Sequence, residues 1–275
     1  EQLPDIPVDN ILCEPSRKNT APCIAYISYK LNQLNPEANL ICAPADHIIL
    51  DPAGFKATCL QALKFTSHIK ALVTLGIKPT YPNIGYGYIQ YDQQAVGENV
   101  FKVKTFTEKP DKDLARTFIS SGDFLWNAGI FVWQVKNIVK AFETFLPEMH
   151  DVFDAEKNNF STPNEKEAIE RIYPQCVNIS IDYGVMEKAD NVYIIPSSLG
   201  WSDLGTWASA YDNLEKDYLE NAVTGANVMI IDATKNIVHA ESGKLVLLQG
   251  LDDFIVVDTQ DVLLICKKDK EQEIK

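Results

Sequence analysis

The chain has 275 residues, 46% hydrophobic and 23% charged, enough apolar material for a sizeable core and the composition expected of a soluble globular protein. A formal charge of −13 with no Lys/Arg-rich stretch excludes a nucleic-acid surface, and no apolar run reaches membrane-spanning length. Any anionic substrate must therefore meet a locally positive group or a metal.

Residues 1–21 are polar and broken by proline, and the chain opens without a methionine, as expected of a segment whose natural start lies upstream. A helix is predicted over 21–34, where Ile24, Tyr26, Ile27 and Leu31 recur near helical spacing before the stop Asn35-Pro36. A second is predicted after Asp51-Pro52, with the aspartate as cap and Phe55, Cys59, Leu60 and Leu63 on one side. The apolar runs 40–43 and 71–75 flank it as strands, and strand, helix, strand is the pattern of a βαβ unit with a parallel sheet. Further strands are predicted at 87–91, 100–106 and 129–133, with helices at 112–120, 135–145, 164–172 and 183–188. After Asn221 the character changes: runs 228–231, 237–240, 245–248, 254–257 and 262–266 are short, β-branched and separated by turn residues. Two domains are predicted on this ground, 1–220 and an all-β 221–275, with residues 267–273 a solvated charged tail. The six cysteines, scattered through apolar segments without a C-x-x-C pair, read as buried thiols of a reducing compartment. No basic and apolar leader opens the chain, and a cytoplasmic location is expected.

Two aspartates stand where packing does not demand them. Asp46, in Pro44-Ala45-Asp46-His47, follows the strand 40–43, and open α/β sheets build ligand crevices at strand carboxyl ends. Asp203, in Gly200-Trp201-Ser202-Asp203-Leu204-Gly205, lies between glycines just ahead of a helix predicted from Thr206. Brought together, two carboxylates suit one Mg2+ held against substrate phosphates; singly, each reads as a cap or turn residue. Gly85-Tyr86-Gly87-Tyr88-Ile89 offers glycine amides to a ligand and tyrosines to a sugar ring, or is a plain bend. In Glu108-Lys109-Pro110 the proline is expected to hold Lys109 extended, aiming its ammonium away from the next helix, while Glu108 suits sugar hydroxyls; a surface ion pair is the alternative. Asn127, in Trp126-Asn127-Ala128-Gly129, either serves a hydroxyl pair or closes a turn. Ser180-Ile181-Asp182-Tyr183 reads as a helix cap, with Met186 facing in and Glu187 a turn beyond. Glu14-Pro15-Ser16-Arg17-Lys18-Asn19-Thr20-Ala21-Pro22 gathers two cations, an amide and a hydroxyl at the first helix's entrance, suited to anion or base contacts.

In this order, and with Thr74-Leu75-Gly76-Ile77-Lys78-Pro79-Thr80 among them, these segments resemble the mannose-1-phosphate guanylyltransferases over nearly the whole chain. The resemblance implies an α/β fold, a Rossmann-like nucleotidyltransferase sheet lacking its first strand and glycine-rich loop, with a small C-terminal part like a left-handed β-helix. It implies formation of GDP-mannose and diphosphate from GTP and mannose 1-phosphate, by in-line attack of the sugar phosphate on the α-phosphorus. Carried over residue by residue, Asp46 and Asp203 would hold Mg2+ and Lys109 the sugar phosphate. Glu108, Asn127, Asp182 and the Gly85-Tyr86-Gly87 segment would meet the mannose, and Asn19, Thr20, Pro44 and Ala45 the guanosine. The family's glycine-rich loop and Pro-Lys-Gln segment are not found before Glu14, so this chain by itself is expected to be impaired in catalysis. Lys18, directly before Asn19, replaces the arginine commoner in the family and keeps the charge without the planar fork. A homodimer built partly through residues 221–275 is expected, because short apolar strands leave edges to cover. A nucleotidyltransferase for another sugar or base, and a catalytically dead binding subunit, remain alternative readings.

Overall fold

In the computed structural model, which describes residues 4–241 and 243–274, helix α1 (Thr20–Leu34) begins where Asn19 turns its carboxamide back to accept from the Thr20 amide. It buries Ile24 and Tyr26 as expected, together with Ala21, Ala25 and Tyr29, whereas Ile27 and Leu31 are only partly buried. Strands β1 (Asn39–Cys42) and β2 (Ile48–Ile49) follow, then α2 (Pro52–His68), capped as predicted by Asp51, which accepts from Gly54 N at 2.9 Å. The buried face of α2 carries Cys59, Ala62 and Thr66, whereas Leu60 is 56% exposed, contrary to expectation. Next come β3 (Leu72–Ile77), β4 (Gly87–Gly97), β5 (Val100–Glu108), α3 (Lys112–Ser121) and β6 (Phe124–Gln134). After them run α4 (Val135–Phe145), α5 (Pro147–Ala155), α6 (Glu165–Ile172) and β7 (Val192–Ser197).

The six strands β1-β6-β3-β7-β5-β4 form one sheet, with β6 also reaching β4. The sheet is mixed, which corrects the expectation of a parallel βαβ unit. β1 and β3 do flank α2 in sequence, but β6 lies between them and runs antiparallel to both, while β3 and β7 pair in parallel. Outside the sequence prediction lie, among others, β2, α5 and β7. The β7 run contains Pro196, which argues against a central strand. The proline is tolerated because β5 pairs only with Tyr193 and Ile194 on that side, so the ladder has ended before a missing N–H matters. Against one face of the sheet, α1, α4, α5 and α6 enclose a core that includes Tyr29, Phe131, Trp133, Phe142, Phe153 and Tyr173. One ionic group is built into it: Glu165 accepts from Tyr26 Oη at 2.6 Å, from Lys30 Nζ at 2.7 Å and from Ser161 N at 2.6 Å. Burial alone would raise the Glu165 pKa, but those donors outweigh it and hold the carboxyl below its usual range.

By compactness the chain divides into one unit of residues up to Ala45 with Ile49–Gly200, and another of Asp46–Ile48 with the chain from Trp201 onward. The second unit contains β8 (Trp201–Ser202) and α7 (Trp207–Asn213), then β9 (Ala222–Gly225), β10 (Val228–Ile231), β11 (Ile237–Ala240), β12 (Val246–Gln249), β13 (Phe254–Asp258) and β14 (Leu263–Lys267). β9, β11 and β13 stack in parallel, with Ile237 facing Ala222 on one side and Ile255 on the other, and β10 stacks in parallel on β12. Parallel neighbours joined without helices are coils of a β-helix. β14 returns antiparallel on β13 and ends the stack. Buried asparagines tie the coils together: Asn221 Oδ1 accepts from Asn236 N and Nδ2 at 3.0 and 2.9 Å, and Asn236 Oδ1 accepts from Phe254 N at 2.9 Å. Gly225, at φ +106°, lets adjacent coils approach, since a Cβ there would fall on the Ala240 carbonyl.

Two further expectations are corrected. Residues 268–273 are a 3-10 helix, not a solvated tail; the Lys268 ammonium sits over the Tyr211 ring and 3.4 Å from Asp253. The side chain holds that place because its stem is covered, at 12% exposure. The cysteines are all free, but only Cys59 and Cys176 are buried; Cys23, in the first turn of α1, and Cys13, upstream of it, are exposed. Among the described residues no helix is long and apolar enough to cross a membrane.

Two outcomes follow from these networks. Asn236→Ala strips partners from Asn221, Leu251 and Phe254 at once and should destabilise the β-helical unit by about 2–4 kcal/mol, read by urea unfolding. Glu165→Gln should leave Lys30 poorly paired and cost about 3 kcal/mol at neutral pH. Because the Glu165 pKa is depressed in the folded state, its contribution is present above the unfolded value of ~4.3 and is lost as pH falls through the folded one. The gap in melting temperature between wild type and Glu165→Gln should therefore close on acidification; a gap constant with pH would contradict this account.

Candidate functional site

In the first unit, sheet register brings together residues that are far apart in sequence. β4 pairs with β5 so that Gly87 faces Glu108, and with β6 so that Tyr88 faces Trp126, which sets Asn127 beside them. On β3, Gly76 faces Asn127 past a register shift after Thr74, a bulge that frees the Thr74 hydroxyl to donate to Asn127 Oδ1 at 3.2 Å. Gly129 N donates to the same oxygen at 3.1 Å. With its oxygen so occupied, the amide turns Nδ2 outward, and it donates to Asp182 Oδ1 at 2.7 Å. A Cβ at Gly87 would fall on the Glu108 carboxylate, so glycine here leaves that carboxylate its place.

Asp182 opens a single π-helical turn, Asp182–Met186, closed by Glu187 N donating to Asp182 O at 2.9 Å. The cap expected here is supplied by Ser180, whose Oγ accepts from Tyr183 N at 3.3 Å, while the Asp182 carboxylate turns to Asn127. Such turns recur at functional sites because they re-aim side chains. Burial raises the Asp182 pKa, as it does that of Glu108, where the Asp182 charge adds to the rise and Lys109 opposes it. Glu187 is likewise raised, by burial and then by Asp182. Three carboxyls thus share one region, where the largely exposed Lys109 lies 3.6 Å from Glu108 and Lys188 acts on Glu187.

Lys109 is not extended. Its φ is +48°, and its amide donates to Tyr86 O at 3.2 Å, where the β4–β5 ladder ends. The following proline disfavours the right-handed helical region, but the closing hydrogen bond, not the proline, selects the left-handed one. Gly85 N donates to Asn83 Oδ1 at 2.7 Å, and Tyr86 is buried with its ring edge-on to Trp126. At the start of α1, Thr20 Oγ1 accepts from Ile181 N at 2.9 Å and Ala21 N donates to Ile179 O at 3.1 Å, so Asn19 and Thr20 are tied to the segment leading into Asp182. Pro44 and Ala45 are exposed just beyond β1, whose last residue, Cys42, has its thiol pushed up to about 12 by burial and then by Cys23 of α1. Cys42 packs against the core to which α1 contributes. Thr74, Tyr183 and Glu187 are site residues that sequence reasoning left without a role; the one available signal was a threonine inside the otherwise apolar run of β3.

In the second unit, Asp46 and Asp203 flank His47. Burial lowers the His47 pKa, and the two aspartates oppose the shift without cancelling it. The ring is therefore a neutral imidazole, and its Nδ1 accepts from Trp201 Nε1 at 3.1 Å. Asp203 Oδ1 accepts from Gly205 N at 3.0 Å, and Leu204 between them has φ +48°. Among the described residues no group of three or more His, Cys, Asp or Glu is placed to hold a metal. Mg2+ takes one or two carboxylates from protein and completes its shell with phosphate and water, so Asp46 and Asp203 are of the chemical type that would hold it.

Comparison with known proteins agrees with this architecture. Residues 226–275 match the MannoseP isomerase/GMP-like beta-helix domain. A mannose-1-phosphate guanylyltransferase of Escherichia coli is 32% identical over 97% of this chain, and the xanthan biosynthesis protein XanB of Xanthomonas campestris is 35% identical over all of it. The chain spans 58% of the length of each. A crystal structure described as mannose-1-phosphate geranyltransferase from Thermus thermophilus superposes with a TM-score of 0.83 at 28% identity, covering 95% of this chain and 75% of that one. The resemblance drawn from the motifs and these relatives point the same way. Residues 4–220 match the Nucleotidyl transferase family, and the chain belongs to it.

Proposed function

We propose that the protein of which this chain is part makes GDP-mannose and diphosphate from GTP and mannose 1-phosphate. The observation that carries the reading is the constellation of Gly87, Glu108, Lys109, Asn127 and Asp182 at one end of β4, β5 and β6. Buried acids and an amide whose orientation is set suit the ring of hydroxyls on a hexose, and an exposed lysine beside them suits its phosphate. The names of the relatives support mannose and guanosine as sugar and base.

In this reading Glu108 and Asp182 accept from sugar hydroxyls, Asn127 Nδ2 and the backbone of Gly85-Tyr86-Gly87 donate, and Lys109 neutralises the sugar phosphate. That phosphate is already ionised near neutral pH, so its oxygen attacks the α-phosphorus in line without a strong base, and the protein's task is alignment and charge. Asn19, Thr20, Pro44 and Ala45 take the guanosine end. Asp46 and Asp203 would hold Mg2+, which when bound offsets charge developing on the phosphates. Free cysteines without disulfides suit the cytoplasm. Outward Met229, Leu245, Leu247, Leu263 and Ile265 on the β-helical unit suit a homodimer.

Calorimetric titration with mannose 1-phosphate tests the central claim. Wild type should bind saturably and in preference to glucose 1-phosphate, and Lys109→Ala or Asp182→Asn should weaken binding by about tenfold or more, the loss of one charge-assisted hydrogen bond. No binding, or no effect of either variant, would overturn the assignment. A second outcome concerns stability. A carboxyl whose folded pKa is raised keeps its proton where the unfolded chain, at ~3.9 for aspartate, has lost it, so wild type loses stability as pH rises through the folded value. Asp182→Asn should therefore melt higher than wild type at pH 8, with the difference shrinking on acidification; a lower melting point at pH 8 would show that Asp182 stabilises the fold.

A further inference from the structure

Glu271, on the 3-10 helix Lys268–Glu273, accepts two backbone hydrogen bonds from the first turn of α7: Trp207 N to Oε1 at 2.9 Å and Ala208 N to Oε2 at 3.0 Å. Thr206 Oγ1 takes the next amide, Ser209 N, at 3.1 Å. These are amides that a helix leaves without partners of its own, and one distant carboxylate satisfies two of them. The Asp203 loop runs into α7 without slack. Leu204 N donates to Ser202 Oγ at 3.3 Å, Gly205 N to Asp203 Oδ1 at 3.0 Å, and Thr206 is already the cap. Leu204, at φ +48°, is in a conformation that persists only where its surroundings impose it. Leu204, Gly205 and Trp207 line a cavity of about 380 Å³ that Glu271 and Ile274 also line, so the C-terminal segment borders this loop.

We propose that Glu271 is a positioning residue for Asp203. By pinning the first turn of α7 it fixes the far end of a loop whose near end is held in β8, and so fixes the carboxylate between them. The inference rests on the reading of Asp203 as a metal ligand. Lys268, held over Tyr211 and beside Asp253, keeps the 3-10 helix in place and makes the clasp independent of any ligand.

Amide exchange followed by NMR on the chain and its variants Glu271→Ala and Glu271→Gln tests the mechanical half. Exchange should quicken at Trp207 and Ala208, and also, by about tenfold, at Leu204 and Gly205, which Glu271 does not touch. The glutamine, which keeps an acceptor oxygen, should restore part of the protection and stands in if the alanine variant fails to fold. Wild-type exchange at Leu204 and Gly205 overturns the proposal whatever the metal does. Titration with Mn2+ followed by electron paramagnetic resonance tests the other half, with Asp203→Asn as control. Glu271→Ala should weaken Mn2+ binding by about tenfold, the usual effect of losing a group that orients a ligand. Mn2+ binding indifferent to Asp203→Asn overturns the metal reading and leaves the exchange result to decide the clasp. Binding lost in Asp203→Asn but unchanged in Glu271→Ala overturns the link between clasp and metal.

Discussion

The first unit depends on where β6 sits. This strand is buried at most of its positions and pairs with β1, β3 and β4, so two edges that would otherwise lie open are joined through it. Its backbone needs partners on both sides, and meeting that need decides the sheet order. The same pairing carries Asn127 to the meeting point of three strands. A shift of one residue would move Asn127 to the other face and dissolve the site, which is why the bulge after Thr74 has a chemical consequence as well as a geometric one.

Around Asn127 the protein holds more negative charge than its local cations offset. Glu108, Asp182 and Glu187 all have raised pKa values, each first through burial; the Asp182 charge adds to the rise at Glu108 and Glu187, while the neighbours of Asp182 itself oppose its rise. An arrangement that disfavours the ionised carboxyl is a poor device for stability and a good one for a polar ligand that brings its own hydrogen-bond donors. The Glu165 group shows the opposite balance in the same unit. There a carboxylate in the core meets an ammonium, a phenol and an amide, and its pKa falls. The two clusters differ in how many donors the fold itself supplies, and that difference separates a structural acid from a candidate binding one.

The second unit solves a different problem. Its coils are too short to bury much apolar surface singly, so they rely on stacking, on the asparagines that cross between coils and on glycine at the closest approach. Asp46 and His47 come from a distant part of the chain and belong to this unit with Asp203. No local signal near Asp46 announces that placement.

Much of this was legible in the residues themselves. Helical spacing, caps and stops placed α1, α2 and α4, and short β-branched runs with turn residues placed the coil strands after β9, because these depend on contacts a few residues apart. The ordered motifs carried the family, and they singled out Glu108, Lys109, Asn127 and Asp182, which the fold brings near one another. What lay beyond reach needed partners distant in sequence. The antiparallel β6 between β1 and β3, the left-handed turn at Lys109, the π turn that points Asp182 at Asn127, and Glu271 seated on α7 each arise when a backbone or carboxylate group finds its partner only after folding. Periodicity records which face of an element is apolar. Which element that face or edge will meet is settled by the requirement that every buried polar group be satisfied at once, and only the tertiary structure meets it.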